Sequence, residues 1–264
     1  MAKIVTITNP LTGQPAQVDQ LDHTAQQIDD GLNIARGVSN PNLLDNWYFG
    51  NPINQRGQTS YTGEVYGIDR WIAQWAGDGV VTVEDGGICL YRAGYETYLS
   101  QRITDDLGGQ TVTFSALCKG NCGINLIECD SGWAFKSIIA GQGNTVLNDY
   151  TLLTVTGVIP QGCKNLLAEL TSAQGVKSQF KAAKLELGTA QTLAHQDENG
   201  NWQLNEIPDY GEQLARCQRY FQTFATESLR PTNALDFRPV MRTITALSTI
   251  TVGGKTLYTA IADL

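Results

Sequence analysis

The chain has 264 residues, of which 18 are Lys or Arg and 26 are Asp or Glu, so its formal net charge is -8 at pH 7. This acidity opposes contact with nucleic acid phosphates and anionic lipid, and we expect neither as a partner. No stretch reaches the roughly 18 apolar residues of a membrane span, and the first residues lack the apolar block of a signal peptide. We therefore expect a soluble chain without membrane insertion, built as one main domain with appendages.

The six cysteines include one tight cluster in sequence, Cys118, Cys122 and Cys129. A zinc site would need a fourth ligand at a recognisable spacing, and the two histidines, His23 and His195, are distant in sequence. We expect the cysteines to stay reduced and to pack as small buried residues. No metal site and no cofactor are predicted.

A heptad pattern marks the N-terminal segment. Alternating spacings of three and four residues are typical of the a and d positions of a coiled coil. A helix of this length is marginal alone, and Gly31 within it costs ~1 kcal/mol relative to alanine, so the seam must pack on its own domain or on copies of itself. We favour packing between copies of the chain, because a helix that precedes Gly37 and Pro41 is expected to project away from its own domain. The seam consists of Val18, Leu21, Ala25, Ile28, Leu32 and Ala35.

From Asn42 to about His195 the pattern changes to short runs rich in β-branched and aromatic residues, broken about every 8 to 12 residues by Gly, Asn or Asp. Alternation places Val112, Phe114 and Ala116 on one side of a strand, as expected of a sheet with one buried face. These runs predict a mainly β chain with a jelly-roll-type antiparallel β-sandwich. The predicted strands are 68–75, 80–84, 87–92, 97–103, 111–119, 123–129, 134–140, 151–158, 165–170 and 179–187.

The C-terminal region combines a helix with further strands. Asn199-Gly200 favours a type I′ hairpin turn, and the following segment predicts an amphipathic helix that starts at Pro208 or Asp209. Strands are predicted at 234–240, 243–252 and 255–262, the last two joined by a Gly-Gly hairpin. The predicted helix face holds Tyr210, Leu214, Cys217, Phe221 and Phe224. The predicted domains are an attachment and oligomerisation segment (1–40), the sandwich (41–196) and an oligomer-stabilising helix with strands (197–264).

Three stretches in this order resemble the tail-fibre and receptor-binding proteins of bacteriophages and prophages. They are NPNLLDNWYFGNPINQRG with YGIDRW (40–57 and 66–71), AKLELG (183–188) and PDYGEQLARCQRYF (208–221). The framed sandwich is similar to carbohydrate-binding modules. The resemblance covers residues 40 to 222 well and the C-terminal end more loosely. It implies a virion protein assembled in the bacterial cytoplasm, a homotrimer, attachment to other virion proteins through the N-terminus, and contact with a host surface glycan or protein.

Within the first stretch, Arg56 and Arg70 are expected to pair with Asp45, Glu64 or Asp69 and to tie the sandwich edge together.

We predict no catalytic residue. A glycosidase needs two facing carboxylates, whereas the acids here are scattered in predicted turns, although linear sequence leaves a spatial pair open. Neither histidine has the context of a nucleophilic triad. The segment 141–144, GQGN, lacks the Lys-Ser/Thr of a phosphate loop and is predicted as a turn.

Sugar binding requires an exposed ring for the apolar face of a pyranose and polar groups for its hydroxyls. Tyr95 and Tyr98 in RAGYETY, and Trp133 beside Asp130 in DSGW, have that setting. Trp133 is the first candidate, because a Trp preceded by Ser and Gly in a turn is seldom fully buried; the alternative is a loop anchor on the sandwich edge. A calcium ion on loop carboxylates such as Asp130 is suggested by fold analogy alone.

The sequence as a whole predicts a phage tail-fibre or receptor-binding subunit that contacts the host surface, with glycan as the favoured target, and catalyses nothing. A purely architectural virion protein, such as a head fibre or tail-tip spacer, is the alternative. A polysaccharide depolymerase is less favoured.

Overall fold

The computed structural model describes residues 7–8, 15–16, 40–74, 78–224, 239–242, 246–252 and 254–262. The predicted coiled-coil seam, 18–35, lies outside these residues and stays a prediction, as does most of the strand predicted at 234–240. Two short strands of the N-terminal segment, β1 (Ile7–Thr8) and β2 (Pro15–Ala16), pair antiparallel. Within the described ranges, no helix is long and apolar enough to cross a membrane.

Antiparallel strands dominate the described part of the chain, and nine of them join in one sheet. These are β3 (Ser60–Thr62), β4 (Ile72–Gln74), β5 (Val80–Glu84), β6 (Gly87–Tyr91), β7 (Thr97–Ile103), β8 (Thr111–Cys129), β9 (Phe135–Val158), β10 (Asn165–Ser172) and β11 (Ser178–Leu187). Hydrogen-bonded neighbours follow the order β3-β5-β6-β11-β8-β10-β7-β4, and β9 pairs with β8.

The long β8–β9 hairpin folds this sheet into two layers. One edge of β8 pairs with β9 along its length, and the other edge is shared between β11, opposite 112–119, and β10, opposite 122–129. The first layer contains β3, β5, β6, β11 and the start of β8, and the second contains β4, β7, β10 and the end of β8. Between them lies a core that includes the fully buried Trp71, Phe114 and Phe180. The predicted antiparallel sandwich is confirmed.

Two glycines allow β8 to pass from one layer into the other. Gly120 has φ +108°, and a Cβ there would lie 2.8 Å from Ser178 Cα. At Gly123 a Cβ would lie 2.6 Å from Thr171 Oγ1 and 2.8 Å from the carbonyl oxygen of Gln142. The register between β8 and β9 shifts beside both glycines. Any side chain at these positions would push a neighbouring strand away, so the bend depends on glycine.

The structure corrects the turn predicted at 141–144. These residues belong to β9, and Gly141 pairs with Asn125 of β8. Likewise, the two strands predicted at 111–119 and 123–129 are one strand, and so are those at 134–140 and 151–158. Glycine disfavours a strand locally, but a neighbouring strand that satisfies the backbone hydrogen bonds overrides that preference.

Side-chain hydrogen bonds hold the opening segment, 42–53, against the sandwich. Asn46 adopts φ +51°, a conformation that Asn tolerates better than most residues. Its amide donates to the carbonyl oxygens of Ile53 and Asp69, at 2.9 and 2.8 Å, and accepts from the Ile53 N–H at 2.7 Å. Because Asn46 is buried, these three bonds fix the path of the chain into β3.

Two ion pairs lie beside this segment, as the sequence predicts, one partly buried and one buried. Arg56 pairs with Asp69 at 2.9 Å, and Arg70 pairs with Asp45 at 3.0 Å. Asp45 also accepts from Arg216 Nε at 2.7 Å, which joins the C-terminal helix to the start of the sandwich. The predicted pairing is confirmed with Asp45 and Asp69 as the partners.

The helix α1 (Tyr210–Gln218) begins where predicted, with Asp209 as the N-cap that accepts from the Glu212 N–H at 2.8 Å. It buries Gln213 and Cys217, whereas Tyr210, predicted on the buried face, is 47% exposed. The helix ends before the two phenylalanines that were also predicted on it.

Those two phenylalanines instead bound the strand β14 (Phe221–Phe224), which pairs with β16 (Lys255–Ile261). The predicted C-terminal hairpin of β15 (Ala246–Val252) with β16 is confirmed. The helical spacing of the two rings is a local signal, and backbone hydrogen bonding with β16 overrides it.

The predicted hairpin near residue 200 is present between β12 (Ala194–Gln196) and β13 (Trp202–Leu204). It is not a type I′ turn, because Gly200 has φ +80° while Asn199 does not have a positive φ. The Asp197 carboxylate accepts from the N–H groups of Asn199 and Asn201, both at 2.9 Å, and so stabilises a longer loop.

Strand β11 carries two charged side chains with no exposed surface, Lys184 and Glu186. Lys184 Nζ lies 3.1 Å from Glu206 Oε1 and 3.9 Å from Glu186 Oε2. The Glu186 carboxylate also accepts from the N–H of Thr192 at 2.7 Å and from its hydroxyl at 2.5 Å. This network joins the sandwich to the segment that leads into α1.

The six cysteines are all free and buried, as predicted.

Candidate functional site

A cleft of about 550 Å³ lies on the outer face of the second layer. On β10, Leu166, Ala168 and Leu170 belong to the core, so the alternate side chains face outward into the cleft. Strands β7, β8 and β9 and the turn at 130–134 complete its walls. The lining residues are Glu96, Tyr98, Asn125, Ile127, Cys129, Trp133, Phe135, Ile138, Gly143, Asn144, Leu167, Glu169 and Thr171.

The strand register divides the cleft into an apolar and a polar end. Leu167 pairs with Ile127, and the next outward row contains Glu169 opposite Asn125. Thr171 lies one row further, opposite Tyr98 of β7. Cross-strand neighbours on one face lie within contact distance, so the chemistry changes along the cleft from aliphatic to polar.

The apolar end is built around Trp133. Its ring is half-buried and packs on a small cluster of Ile127, Cys129 and Leu167. Two further apolar side chains remain largely exposed there, Phe135 at 61% and Ile138 at 56%. Large apolar side chains left exposed beside a concave surface are typical of ligand-binding grooves.

The turn at 130–134 holds the Trp133 ring in place. Trp133 adopts φ +67°, a conformation that costs a bulky residue on the order of 1–3 kcal/mol. The Asp130 carboxylate maintains it by accepting from the N–H groups of Gly132 and Ala134, at 2.8 and 2.9 Å. The Arg102 guanidinium lies 4.9 Å from the ring centroid and forms a cation–π contact. Such retained strain is most often found at functional sites.

At the polar end, hydrogen bonds connect the side chains to one another. Glu96 accepts from the Tyr98 hydroxyl and from the Asn144 amide, both at 2.7 Å. The Thr171 hydroxyl donates to Asn144 Oδ1 at 2.7 Å. These bonds orient the polar groups before any ligand arrives.

Glu169 lies between the two ends and is 5% exposed. Burial raises the pKa of its carboxyl, and the hydrogen bond that it accepts from Asn125 at 3.0 Å partly opposes that shift. Burial, together with the hydrogen bond to Glu96, raises the pKa of Tyr98 to about 12. The Tyr98 hydroxyl is therefore protonated at neutral pH.

The structure brings two of the four predicted binding residues into the cleft, Trp133 and Tyr98. Tyr95 is 68% exposed beside the Arg92 guanidinium and lies outside the lining of this cleft, so its role in binding stays a prediction. The Asp130 carboxylate is turned toward the backbone of its own turn, so its role is to position Trp133.

Sequence reasoning missed the polar row, which includes Asn125, Asn144 and Glu169. A signal was present, since outward positions on β8 and β10 alternate with core residues, but the strand pairing was needed to place them side by side. Among the described residues, no three His, Cys, Asp or Glu side chains meet in an arrangement that could hold a metal ion.

No family model and no curated protein matches this chain. Among solved structures, it is similar to the CBM22-1 xylan-binding domain of Xyn10C from Paenibacillus barcinonensis, at 15% identity over 58% of this chain and 97% of that chain, with a TM-score of 0.39. It is similar to the xylan-binding module CBM15 at 14% identity over 51% of this chain and 99% of that chain, with a TM-score of 0.35.

A third similar structure is the enzymatically active domain of tailspike protein 4 from bacteriophage CBA120, at 12% identity and a TM-score of 0.32. The match covers 49% of this chain and 19% of that chain. All three are partial likenesses, and they assign neither ligand nor activity to this chain.

Proposed function

We propose that this chain is a non-catalytic, glycan-binding subunit of a bacteriophage tail fibre or receptor-binding assembly, and that the cleft binds the sugar. The observation that carries this proposal is the position of Trp133, an aromatic ring held in a strained turn beside a row of oriented hydroxyl, amide and carboxylate groups. A pyranose offers an apolar face and a ring of hydroxyls, and this cleft complements both.

The dimensions of the cleft support the same conclusion. Its volume of about 550 Å³ is within the range of ~300–1,000 Å³ that small-ligand sites occupy. Because the polar side chains already bond to one another, little side-chain entropy is lost when they receive a ligand. The three sequence stretches that resemble tail-fibre proteins support the virion assignment.

Trp133→Ala is expected to weaken binding to the best hit of a bacterial glycan array about ten- to thirtyfold, equal to ~1.4–2 kcal/mol, because the sugar loses its stacking surface. Trp133→Phe keeps a smaller ring and should lose less. Tyr210→Ala removes an exposed aromatic ring on α1 outside this cleft and serves as the matched control. Titration calorimetry of the four proteins measures the affinities.

Equal glycan affinity in Trp133→Ala and the wild-type chain would show that the cleft is not the binding site. An array without any hit for the intact protein would instead favour the architectural alternative, a head fibre or tail-tip spacer. Thermal melts of each variant show that the fold is retained.

One observation favours a second candidate, a polysaccharide depolymerase. Two carboxylates, Glu96 and Glu169, line the same cleft, and the raised pKa of Glu169 suits a general acid. Hydrolysis of a bound glycan would release reducing ends, and Glu169→Gln, which removes the proton donor but keeps a hydrogen-bonding side chain, would abolish their release. We expect no reducing ends from the wild-type protein.

The proposal includes a homotrimer joined through the seam at 18–35, with the N-terminus attached to other virion proteins. Light scattering of the full chain is expected to give the mass of a trimer. Deletion of residues 1–37 is expected to shift the mass toward that of a monomer, because the seam supplies apolar contact between chains. A trimer that persists would be held by the C-terminal region, 197–264. A full chain that is monomeric at high concentration, or a deletion variant that remains trimeric, would contradict this role for the seam.

A further inference from the structure

A second concave site, separate from the cleft, lies where α1 and residues 239–242 meet the end of β7. Its volume is about 250 Å³, and five arginines line it against two aspartates, Asp45 and Asp105, an excess of three formal positive charges. The whole chain carries a formal charge of -8. The site, called the arginine pocket from here on, is therefore locally positive in a protein that is acidic overall. The arginines are Arg70, Arg102, Arg216, Arg219 and Arg242.

Arg70 lines the pocket and carries a buried hydrogen-bond donor that has no partner among the described residues. Its side chain is 4% exposed, with Nε on Asp45 at 3.0 Å and Nη2 on the carbonyl oxygen of Arg102 at 3.2 Å. Its guanidinium lies 3.5 Å from the ring centroid of Tyr220. The remaining donor, Nη1, is buried and has no hydrogen-bond partner among the described residues. An unpaired buried donor on a charged group is costly, so this atom calls for an acceptor.

The backbone of Arg70 is held in an unfavourable conformation, with φ +71°. This is strained for a long side chain, and the buried pair with Asp45 and the contact with Tyr220 maintain it. The guanidinium therefore has a fixed position at the wall of the pocket, as a preorganised recognition group requires.

In the part of the chain that the structure describes, two further arginines have no carboxylate partner. Within the described residues, Arg219 makes no side-chain hydrogen bond or ion pair. Arg242 donates to the hydroxyls of Thr104 and Tyr220, at 3.1 and 2.9 Å, and both acceptors are uncharged. Cations held this close repel one another, and an anion between them removes that repulsion.

We infer that the arginine pocket binds a small oxyanion, a carboxylate or phosphate carried by a ligand no larger than one sugar unit. The planar guanidinium fork matches both oxyanions in bidentate geometry, which a lysine cluster would not do. The volume limits the ligand, because it falls below the range that drug-sized molecules occupy. The inference does not depend on sugar binding in the cleft.

The test uses the intact protein with sodium phosphate, sodium glucuronate or glucose, at ionic strength matched with sodium chloride. We expect phosphate, glucuronate or both to raise the melting temperature, since a ligand of the folded state stabilises it, and we expect glucose to have no such effect. A response to phosphate alone identifies a phosphoryl source, and a response to glucuronate alone identifies a carboxylate source.

Arg219→Gln is expected to weaken anion affinity at least fivefold, and Arg219→Lys is expected to restore only part of it because the fork is lost. Arg92→Gln makes the same change in net charge outside the pocket and should leave the affinity unchanged. Because the Arg219 side chain has no partner in the described structure, its removal is not expected to impair folding. No response to either anion beyond matched chloride, or equal responses in Arg219→Gln and the wild-type protein, would overturn the inference.

Discussion

Asp45→Ala is expected to lower the free energy of unfolding by about 3–5 kcal/mol, one of the two largest effects that we predict for a single substitution. Asp45 accepts from Arg70 Nε at 3.0 Å and from Arg216 Nε at 2.7 Å. Removal of this carboxylate leaves the buried Arg70 cation without a counter-charge. It also breaks the ion pair with Arg216 that joins α1 to the opening segment, 42–53. Chemical denaturation at pH 7 measures the difference.

The matched control is Asp78→Ala. Asp78 also pairs with an arginine, Arg92, but its side chain is 66% exposed. Exposed pairs contribute about 0–1 kcal/mol, so this variant should be nearly as stable as the wild-type chain. The free energy of unfolding of Asp45→Asn should lie between those of Asp45→Ala and the wild-type chain, because the amide still accepts one hydrogen bond while the charge is lost. Similar unfolding energies for Asp45→Ala and Asp78→Ala would refute the structural role given to Asp45.

Lys184→Met is expected to destabilise the protein by a comparable ~3–5 kcal/mol at pH 7. Lys184 and Glu186 are both fully buried, and methionine fills a similar volume without the charge. The substitution removes the cation beside Glu186 and leaves that carboxyl in the interior with only the neutral donors Thr192 and Asn40 among the described residues. The cost is that of an uncompensated buried charge rather than that of a cavity.

The pH dependence identifies this cause. Burial raises the pKa of Glu186 above its ordinary value of 4.5, so the stability linked to its neutral form is present below pH 4.5 and is lost as pH rises through the raised pKa. Without Lys184, whose charge favours the ionised form, that loss is larger. The difference between the wild-type protein and Lys184→Met should therefore be small at acid pH and grow toward pH 7.

Two further variants isolate the effect. Adding Glu186→Gln to Lys184→Met should recover much of the stability at pH 7 and remove the pH dependence of the difference. Lys177→Met removes a lysine paired with Glu84 at an exposed position, and it should cost less than 1 kcal/mol. A pH-independent loss in Lys184→Met would show that packing, and not charge, is the cause.

These two networks also give a physical role to two of the three stretches that the sequence analysis singled out, 40–57 with 66–71 and 183–188. Asp45 and Arg70 belong to the opening stretch and Lys184 and Glu186 to the second, and their side chains are buried. They stabilise the scaffold, whereas the cleft is lined largely by residues outside these stretches. Framework and proposed binding surface are therefore separable by mutation.

Much of the sandwich follows from the sequence alone. Alternation of apolar and polar residues predicts most of β5 to β11, because a strand with one buried face has a period of two. The ion pairs of Arg56 and Arg70 follow from opposite charges close in the chain. Trp133 is predicted because a tryptophan beside Gly132 in a turn is seldom fully buried.

The tertiary structure decided the rest, because it depends on pairing between distant residues. Glycines near 120 and 141 signal breaks, yet β8 and β9 run through them since each strand satisfies the backbone of the other. The polar row of the cleft requires the register that sets Glu169 beside Asn125, and the arginine pocket gathers arginines from positions 70 to 242. Local sequence determines which face of a strand is buried, but only the fold determines which outward side chains share a site.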